Sequence, residues 1–281
     1  MFIDTHAHLN FKAFANDYEQ AIERAFLADV KKIINVGSNL ETSKKAVEIA
    51  QEYEQVYAAI GLHPIHVKDE AFTDEFKKLA QDKKVVAIGE TGLDYYYDKT
   101  NAEVQKEVFA KHLKMAQVVS RPLILHSREA SDDIFPILMA ERPEPKGVMH
   151  CFGENWEFAK VILDMGLYIS FTGLITFTKN YQTFEVIKNA PLERILIETD
   201  CPFMTPTFVP PMGGISAGKP ELHRGRPARN ATQRVAGGRN EPAFVVEVVR
   251  KIAEIKKISL EKVAEQTSKN AIELFRLDIL C

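Results

Sequence analysis

His6 and His8 stand one residue apart at the end of an apolar run that begins at Phe2. On a β-strand successive side chains alternate faces, so both imidazoles would point the same way, as two nitrogen donors from one strand end. Zinc and similar ions take His and carboxylate ligands, and more of both follow at comparable places. Short apolar runs lead into Gly61-Leu62-His63-Pro64, Gly89-Glu90-Thr91-Gly92-Leu93-Asp94, His126-Ser127-Arg128, His150-Cys151-Phe152 and Glu198-Thr199-Asp200. A buried histidine without a partner is an odd thing to place after an apolar strand, and the repetition asks for one cause. A binuclear metal site is such a cause. His6, His8 and Asp200 would hold one divalent ion, His126 and His150 the other, and Glu90 would bridge both with its two oxygens. Two ions about 3.5–4 Å apart polarise a phosphoryl or carbonyl oxygen and bring the pKa of bound water to about 7. Asp200 beside that water would act as general base. Mixed His and carboxylate donors suit Zn and leave Mg or Mn open.

These residues need elements that bring distant parts of the chain together. Apolar runs at 2–8, 32–37, 56–60, 85–90, 123–126, 147–150, 167–171 and 194–200 read as strands. Helical spacing is found at 15–28, 42–53, 71–81, 102–119, 132–141, 156–165 and 181–189, then at 243–256 and 260–275. Short apolar strands joined by helices indicate a parallel sheet covered on both faces. Eight such units predict an α/β fold, a single (β/α)8 TIM barrel over 1–281, with an open doubly wound sheet as the alternative. The candidate ligands come from strands spread through the whole chain, which favours the barrel. Active sites of such barrels form at the C-terminal ends of several strands. Only 205–238 breaks the rhythm. It is rich in Pro, Gly and Arg and reads as a long loop after strand eight.

Composition narrows the class. The chain has 281 residues, 46% hydrophobic and 27% charged, with a net charge of -3. That balance gives no overall attraction to nucleic acid or membrane, so anion binding must come from a local patch. The loop is one: between 207 and 239 it carries Lys219, Arg224, Arg226, Arg229, Arg234 and Arg239 against a single acid, Glu221. The plain alternative is a basic insert that touches nothing. Three unpaired-looking cysteines, no secretory leader pattern and no run of about 20 apolar residues together predict a cytoplasmic protein without membrane contact. No obligatory protein partner is evident.

The ordered set of motifs resembles TatD-type metal-dependent deoxyribonucleases, a branch of the amidohydrolase-like barrels. The resemblance runs from Phe2-Ile3-Asp4-Thr5-His6-Ala7-His8 through the blocks above to Arg239-Asn240-Glu241-Pro242 and Asn270-Ala271 before Leu274-Phe275. It implies two divalent ions on His6, His8, Glu90, His126, His150 and Asp200, and hydrolysis of DNA phosphodiesters, often from the 3′ end, with single-stranded DNA as the expected partner. One departure stands out. Leu222-His223-Arg224-Gly225 and the block from Arg239 are pushed apart by extra residues, leaving open which arginine faces the substrate.

Glu90 and Asp200 are the expected catalytic carboxylates. His63 and Arg128 are expected at the substrate phosphate in a catalytic role, and His223 and Arg224 as further substrate contacts. Each has a plainer reading: His63 stiffens the turn before Pro64, Arg128 pairs with Glu129 or Asp132, Glu90 pairs with a barrel arginine, and Asp200 caps the turn before Pro202. Asp94 would orient a ligand or hold its loop. His112 lies on an apolar helix stripe and reads as a core residue, His66 as a loop residue, and Cys201 as packing. Two rival functions remain: ester or amide hydrolysis on the same site, as in an aminoacyl-tRNA deacylase or lactonase, and a nucleic-acid-binding protein with a degenerate site.

Overall fold

A computed structural model describes residues 1–96, 99–141, 145–207 and 238–278. Eight parallel strands form one sheet in sequence order: β1 (Phe2–Ala7), β2 (Val30–Val36), β3 (Val56–Ile60), β4 (Val85–Asp94), β5 (Leu123–Arg128), β6 (Gly147–Met149), β7 (Tyr168–Phe171) and β8 (Ile195–Ile197). The helices between them are α1 (Tyr18–Leu27), α2 (Leu40–Glu52), α3 (Asp74–Leu79), α4 (Ala102–Val118), α5 (Ser131–Glu141), α6 (Trp156–Asp164) and α7 (Tyr181–Asn189), with α8 (Val245–Lys256) and α9 (Leu260–Phe275) after β8. A parallel bridge between Ala7 and Cys201 returns the sheet to its first strand. Asp200 N–H donates to the His6 carbonyl at 2.8 Å, and His8 N–H to the Cys201 carbonyl at 2.9 Å. The expected (β/α)8 barrel is therefore formed.

Both faces of the strands are buried, which is why they read as continuous apolar runs. One set of side chains, including Phe2, Ile33 and Val56, packs with the helices. The other, Ile3, Ile34, Tyr57, Val86, Ile124, Val148, Tyr168 and Leu196, clusters together and is joined by Phe275 and Leu277 from the end of α9. Apart from Ile34, these residues sit early in their strands, so the polar side chains at the later positions stand on a filled base.

Several boundaries differ from the sequence expectation. β4 does not stop at Glu90. It runs to Asp94, because Thr91 to Asp94 pair with Leu125 to Arg128 of β5. The glycines there are not turn signals. Gly89 and Gly92 have φ of 151° and 144°. A Cβ at Gly89 would sit 2.5 Å from the Ile124 carbonyl oxygen, and one at Gly92 would overlap that of His126. They let β4 shift register between Ile88 and Thr91 while lying against β5, and Glu90 is carried on that irregularity. α2 starts at Leu40 because Asn39 caps it in a reciprocal box with Thr42. α3 is confined to six residues, and β8 to three, with Arg194 in a 3-10 turn before it. Another 3-10 turn, Pro242–Phe244, precedes α8. His223 and Arg224, with most of the basic loop, lie outside the described residues.

Candidate metal centre

Six of the eight strands (β1, β3, β4, β5, β6 and β8), or the turns just after them, bring polar groups to the same buried place. His6 and His8 come from β1 and its end, and their Nε2 atoms are 3.1 Å apart. Asp200 arrives from beyond β8, with Oδ1 at 3.4 Å from His8 Nε2 and 3.8 Å from His6 Nε2. Its backbone is left-handed, with φ 53°, a conformation that Asp tolerates better than most residues. On the other side, His126 Nδ1 and His150 Nε2 are 3.1 Å apart. Glu90 stands between the two groups and divides its oxygens. Oε2 is 3.4 Å from His6 Nε2 and 3.9 Å from His8 Nε2. Oε1 is 2.8 Å from both His126 Nδ1 and His150 Nε2, and 3.1 Å from His63 Nε2. All six residues of the expected ligand set thus come together, and His63 joins them.

The tautomers follow from the outer contacts. A carbonyl only accepts, so His8 Nδ1 must donate to Val36 O, 2.7 Å away, leaving Nε2 a bare acceptor. His126 Nε2 faces the Asp94 carboxylate at 3.0 Å, which leaves Nδ1 bare. His150 Nδ1 makes no hydrogen bond, but the Glu198 carboxylate 3.5 Å away favours a proton on that nitrogen rather than on Nε2. With both rings neutral, His126 Nδ1, His150 Nε2 and Glu90 Oε1 are three acceptors within hydrogen-bond distance and no donor among them, and without a metal a proton taken up by His126 or His150 supplies the missing donor. Such a group repels itself unless a cation shares it. Three acceptors of mixed nitrogen and oxygen type are what a divalent ion takes, so the residues fit the metal that the sequence leads one to expect.

His63 differs. Ile65 N–H donates to its Nδ1 at 3.2 Å, so the proton of the neutral ring sits on Nε2. Burial pushes its pKa down to about 4, so the ring is neutral at pH 7. His63 therefore presents a donor to the centre where the others present lone pairs.

The electrostatics show the same demand for positive charge. Burial alone would raise the Glu90 carboxyl, but the charge of His150 and hydrogen bonds from His126 and His150 hold it well below the usual carboxylate range. Burial likewise opposes Asp200, yet contact with His8 and the charge of His6 keep its pKa low. His150 is held well above its ordinary value because Glu90 and Glu198 outweigh burial. For His126, contacts with Asp94 and Glu90 outweigh burial in the same direction.

Supporting residues surround these groups. Glu198 accepts from Cys151 N–H and Ser170 O–H, both at 2.7 Å, and so also holds the left-handed turn at Cys151 behind His150. Asp4 accepts from Thr199 N–H at 2.9 Å, Thr199 O–H at 2.6 Å and His6 N–H at 3.3 Å, tying β1 to the residue before Asp200. Burial lifts its pKa to about 7, against the hydrogen bonds from Thr199. Motif spacing does not assign these roles to Glu198 and Asp4. The available signal was a carboxylate next to a run of apolar residues, which must find partners once the strand is buried. Asp94 contacts His126 as described. His112 is a core residue: Nε2 accepts from Leu62 N–H at 3.0 Å and Nδ1 donates to Val108 O at 2.8 Å.

Two arginines part company. The Arg128 guanidinium lies over the Tyr96 ring, 3.6 Å from its centroid. Arg239 is committed elsewhere. It grips Asp17 with two hydrogen bonds of 2.6 Å and Glu241 with one of 2.8 Å, and lies over the Phe14 ring. Arg24 completes the group on Glu241 at 2.7 and 2.8 Å. The block from Arg239 to Pro242 thus clasps the chain after the loop onto α1.

The chain is similar to known proteins over nearly its whole length. The family model described as TatD related DNase matches residues 3–276. An uncharacterized metal-dependent hydrolase of Bacillus subtilis (strain 168), YabD, is 41% identical over 99% of this chain and 100% of its own length. The Deoxyribonuclease Tat-D of Schizosaccharomyces pombe is 34% identical over 92% of this chain and 87% of its own. The crystal structure of YJJV, a TatD homolog from Escherichia coli K12, superposes with a TM-score of 0.82 at 30% identity, covering 99% of this chain and 98% of that one.

Proposed function

The chain belongs to the TatD related DNase family and is a metal-dependent hydrolase, and we propose that the bond it breaks is a DNA phosphodiester, taken from the 3′ end of single strands. The observation that carries this reading is the divided Glu90 carboxylate, one oxygen toward His6 and His8 and the other toward His126 and His150. We assign His6, His8 and Asp200 to one divalent ion, His126 and His150 to a second, and Glu90 to both. A bound pair of such ions would polarise a phosphoryl oxygen and make water acidic enough to attack at neutral pH.

The protein's own groups do the rest. Asp200 stays ionised at neutral pH and can take the proton of the attacking water. The neutral His63 Nε2–H can donate to a phosphate oxygen entering beside Glu90. Arg128 is the charged partner for a further phosphate oxygen, with Tyr96 holding its guanidinium flat. Asp94 and Glu198 orient His126 and His150 from behind. Cys151 and Cys201, both free thiols among the described residues, support a cytoplasmic setting.

The reading is tested with purified protein, a panel of Zn, Mg and Mn, and labelled single-stranded DNA, RNA and a simple ester. About two divalent ions per chain and metal-dependent shortening of DNA from the 3′ end are expected. Both should be lost together in His6→Ala and Glu90→Ala. DNA cleavage without added metal, or two ions retained in Glu90→Ala, would refute the mechanism. Hydrolysis of the ester alone would move the function to the ester class.

A further inference from the structure

We infer that Phe203, backed by Phe11, is a stacking platform for a nucleobase beside the candidate cleavage site; this rests on the reading of single-stranded DNA as substrate. Phe203 lies three residues beyond Asp200, on the catalytic face, and remains 39% exposed. Its ring centroid is 6.3 Å from that of His8 and 6.3 Å from that of Phe11. Phe11 itself lies flat on His8, at 4.3 Å and 16°. Both neighbours cross Phe203 steeply, at 70° and 74°. Among the described residues, no aromatic side chain stacks parallel to it.

An exposed phenylalanine alone needs no explanation, but this one is held in place. Its N–H donates to Asp200 O at 2.9 Å, and its carbonyl accepts from Asn240 Nδ2 at 2.6 Å. The same amide nitrogen holds Thr199 O at 2.8 Å. The ring is thus fixed to the frame that fixes Asp200, rather than left on a free loop end. A planar apolar surface so placed suits the flat face of a base attached to the phosphate at the centre. Every base has such a face, and in a single strand it is accessible, whereas in a duplex it is covered by its neighbours. The platform would therefore favour single strands and frayed ends without reading sequence. Another exposed ring on this face, Tyr96, already carries the Arg128 guanidinium.

The test uses the metal-loaded enzyme and single strands ending in 2-aminopurine, protected from cleavage by phosphorothioate linkages. Stacking should quench the fluorescence of the base in the native protein. Quenching should be lost in Phe203→Ala and Phe203→Leu and regained in Phe203→Trp. In cleavage assays, Phe203→Ala should raise KM for ordinary strands roughly tenfold, as expected for one lost base stack, with kcat nearly unchanged. KM for a strand with abasic terminal nucleotides should not move. Equal quenching in native protein and Phe203→Ala, or an equal rise in KM for abasic strands, would overturn the platform. If the native enzyme cleaves no DNA, the functional reading falls, while the fluorescence experiment still decides whether a base stacks here.

Discussion

At the scale of single residues, the decisive property of this site is which histidine nitrogen carries a proton. His8, His126 and His150 have their outer nitrogens turned to acceptors and offer lone pairs inward. His63 is held the other way round by Ile65 N–H. One residue type thus supplies both ligands and a donor, and the choice is made by backbone and carboxylate neighbours. His112 shows the same logic in the core. Burial lowers its pKa to about 4, from an unfolded value near 6.5. Above about pH 6.5 the ring is neutral in both states and its contribution is complete. As the pH falls toward 4, the unfolded chain takes up a proton that the folded protein refuses, so stability is lost in that window. His112→Gln keeps an acceptor for Leu62 N–H and removes the titration. Urea unfolding at pH 7 and pH 4.5 should show a smaller drop for the variant, by about 2 kcal/mol. An identical drop in both proteins would remove His112 from the acid response.

At the scale of elements, the site depends on two seams. Between β4 and β5, Gly89 and Gly92 permit the approach that places Glu90 beside His126. Between β8 and β1, only a bridge and a few hydrogen bonds close the barrel, and polar side chains reinforce them. Asp4 joins His6 to Thr199, while Asn240 spans Thr199 O and Phe203 O. Asn240→Ala should cost about 3 kcal/mol, since it strands buried carbonyls, and should weaken metal retention because Asp200 lies between the two points held. Denaturant unfolding and metal analysis after dialysis check both. Lost stability with full metal retention would show that the seam supports the fold but not the ligands. Glu198→Gln offers a contrast. It should leave stability closer to native and lower metal affinity roughly tenfold, the usual effect of losing an outer carboxylate, as read by competition with a chelator.

At the scale of the whole molecule, a net charge of -3 would have to coexist with the polyanionic substrate proposed above. The basic loop counted from the sequence is the natural compensation, but Arg239 is bound to Asp17 and Glu241 and drops out of it. Replacing Arg226, Arg229 and Arg234 with Gln should weaken single-strand binding and flatten its salt dependence, by about 0.7 in log–log slope for each phosphate that is no longer neutralised. An unchanged slope would make the loop a bystander. Arg239→Gln should instead lower stability and leave the slope alone.

The alternation of elements, the number of strands and the identity of the polar residues at their ends were legible in the sequence, because hydrophobic period and turn chemistry are local properties. So was the grouping of His6 with His8, which follows from spacing along one strand. The tautomer of each histidine, and the parts played by Glu198, Asp4 and Asn240, were not. Each depends on a partner far away in the chain: Thr199 is 195 residues from Asp4, and Asp94 is 32 from His126. The fourth strand looks finished at Glu90 until β5 is laid against the residues beyond it, and Arg239 counts toward the basic loop until α1 brings Asp17 to meet it. The sequence by itself thus determined which donors the barrel would carry and on which strands. Only the tertiary structure decided which atoms of those donors face one another, because hydrogen bonds and desolvation act over a few ångströms of space and are indifferent to distance along the chain.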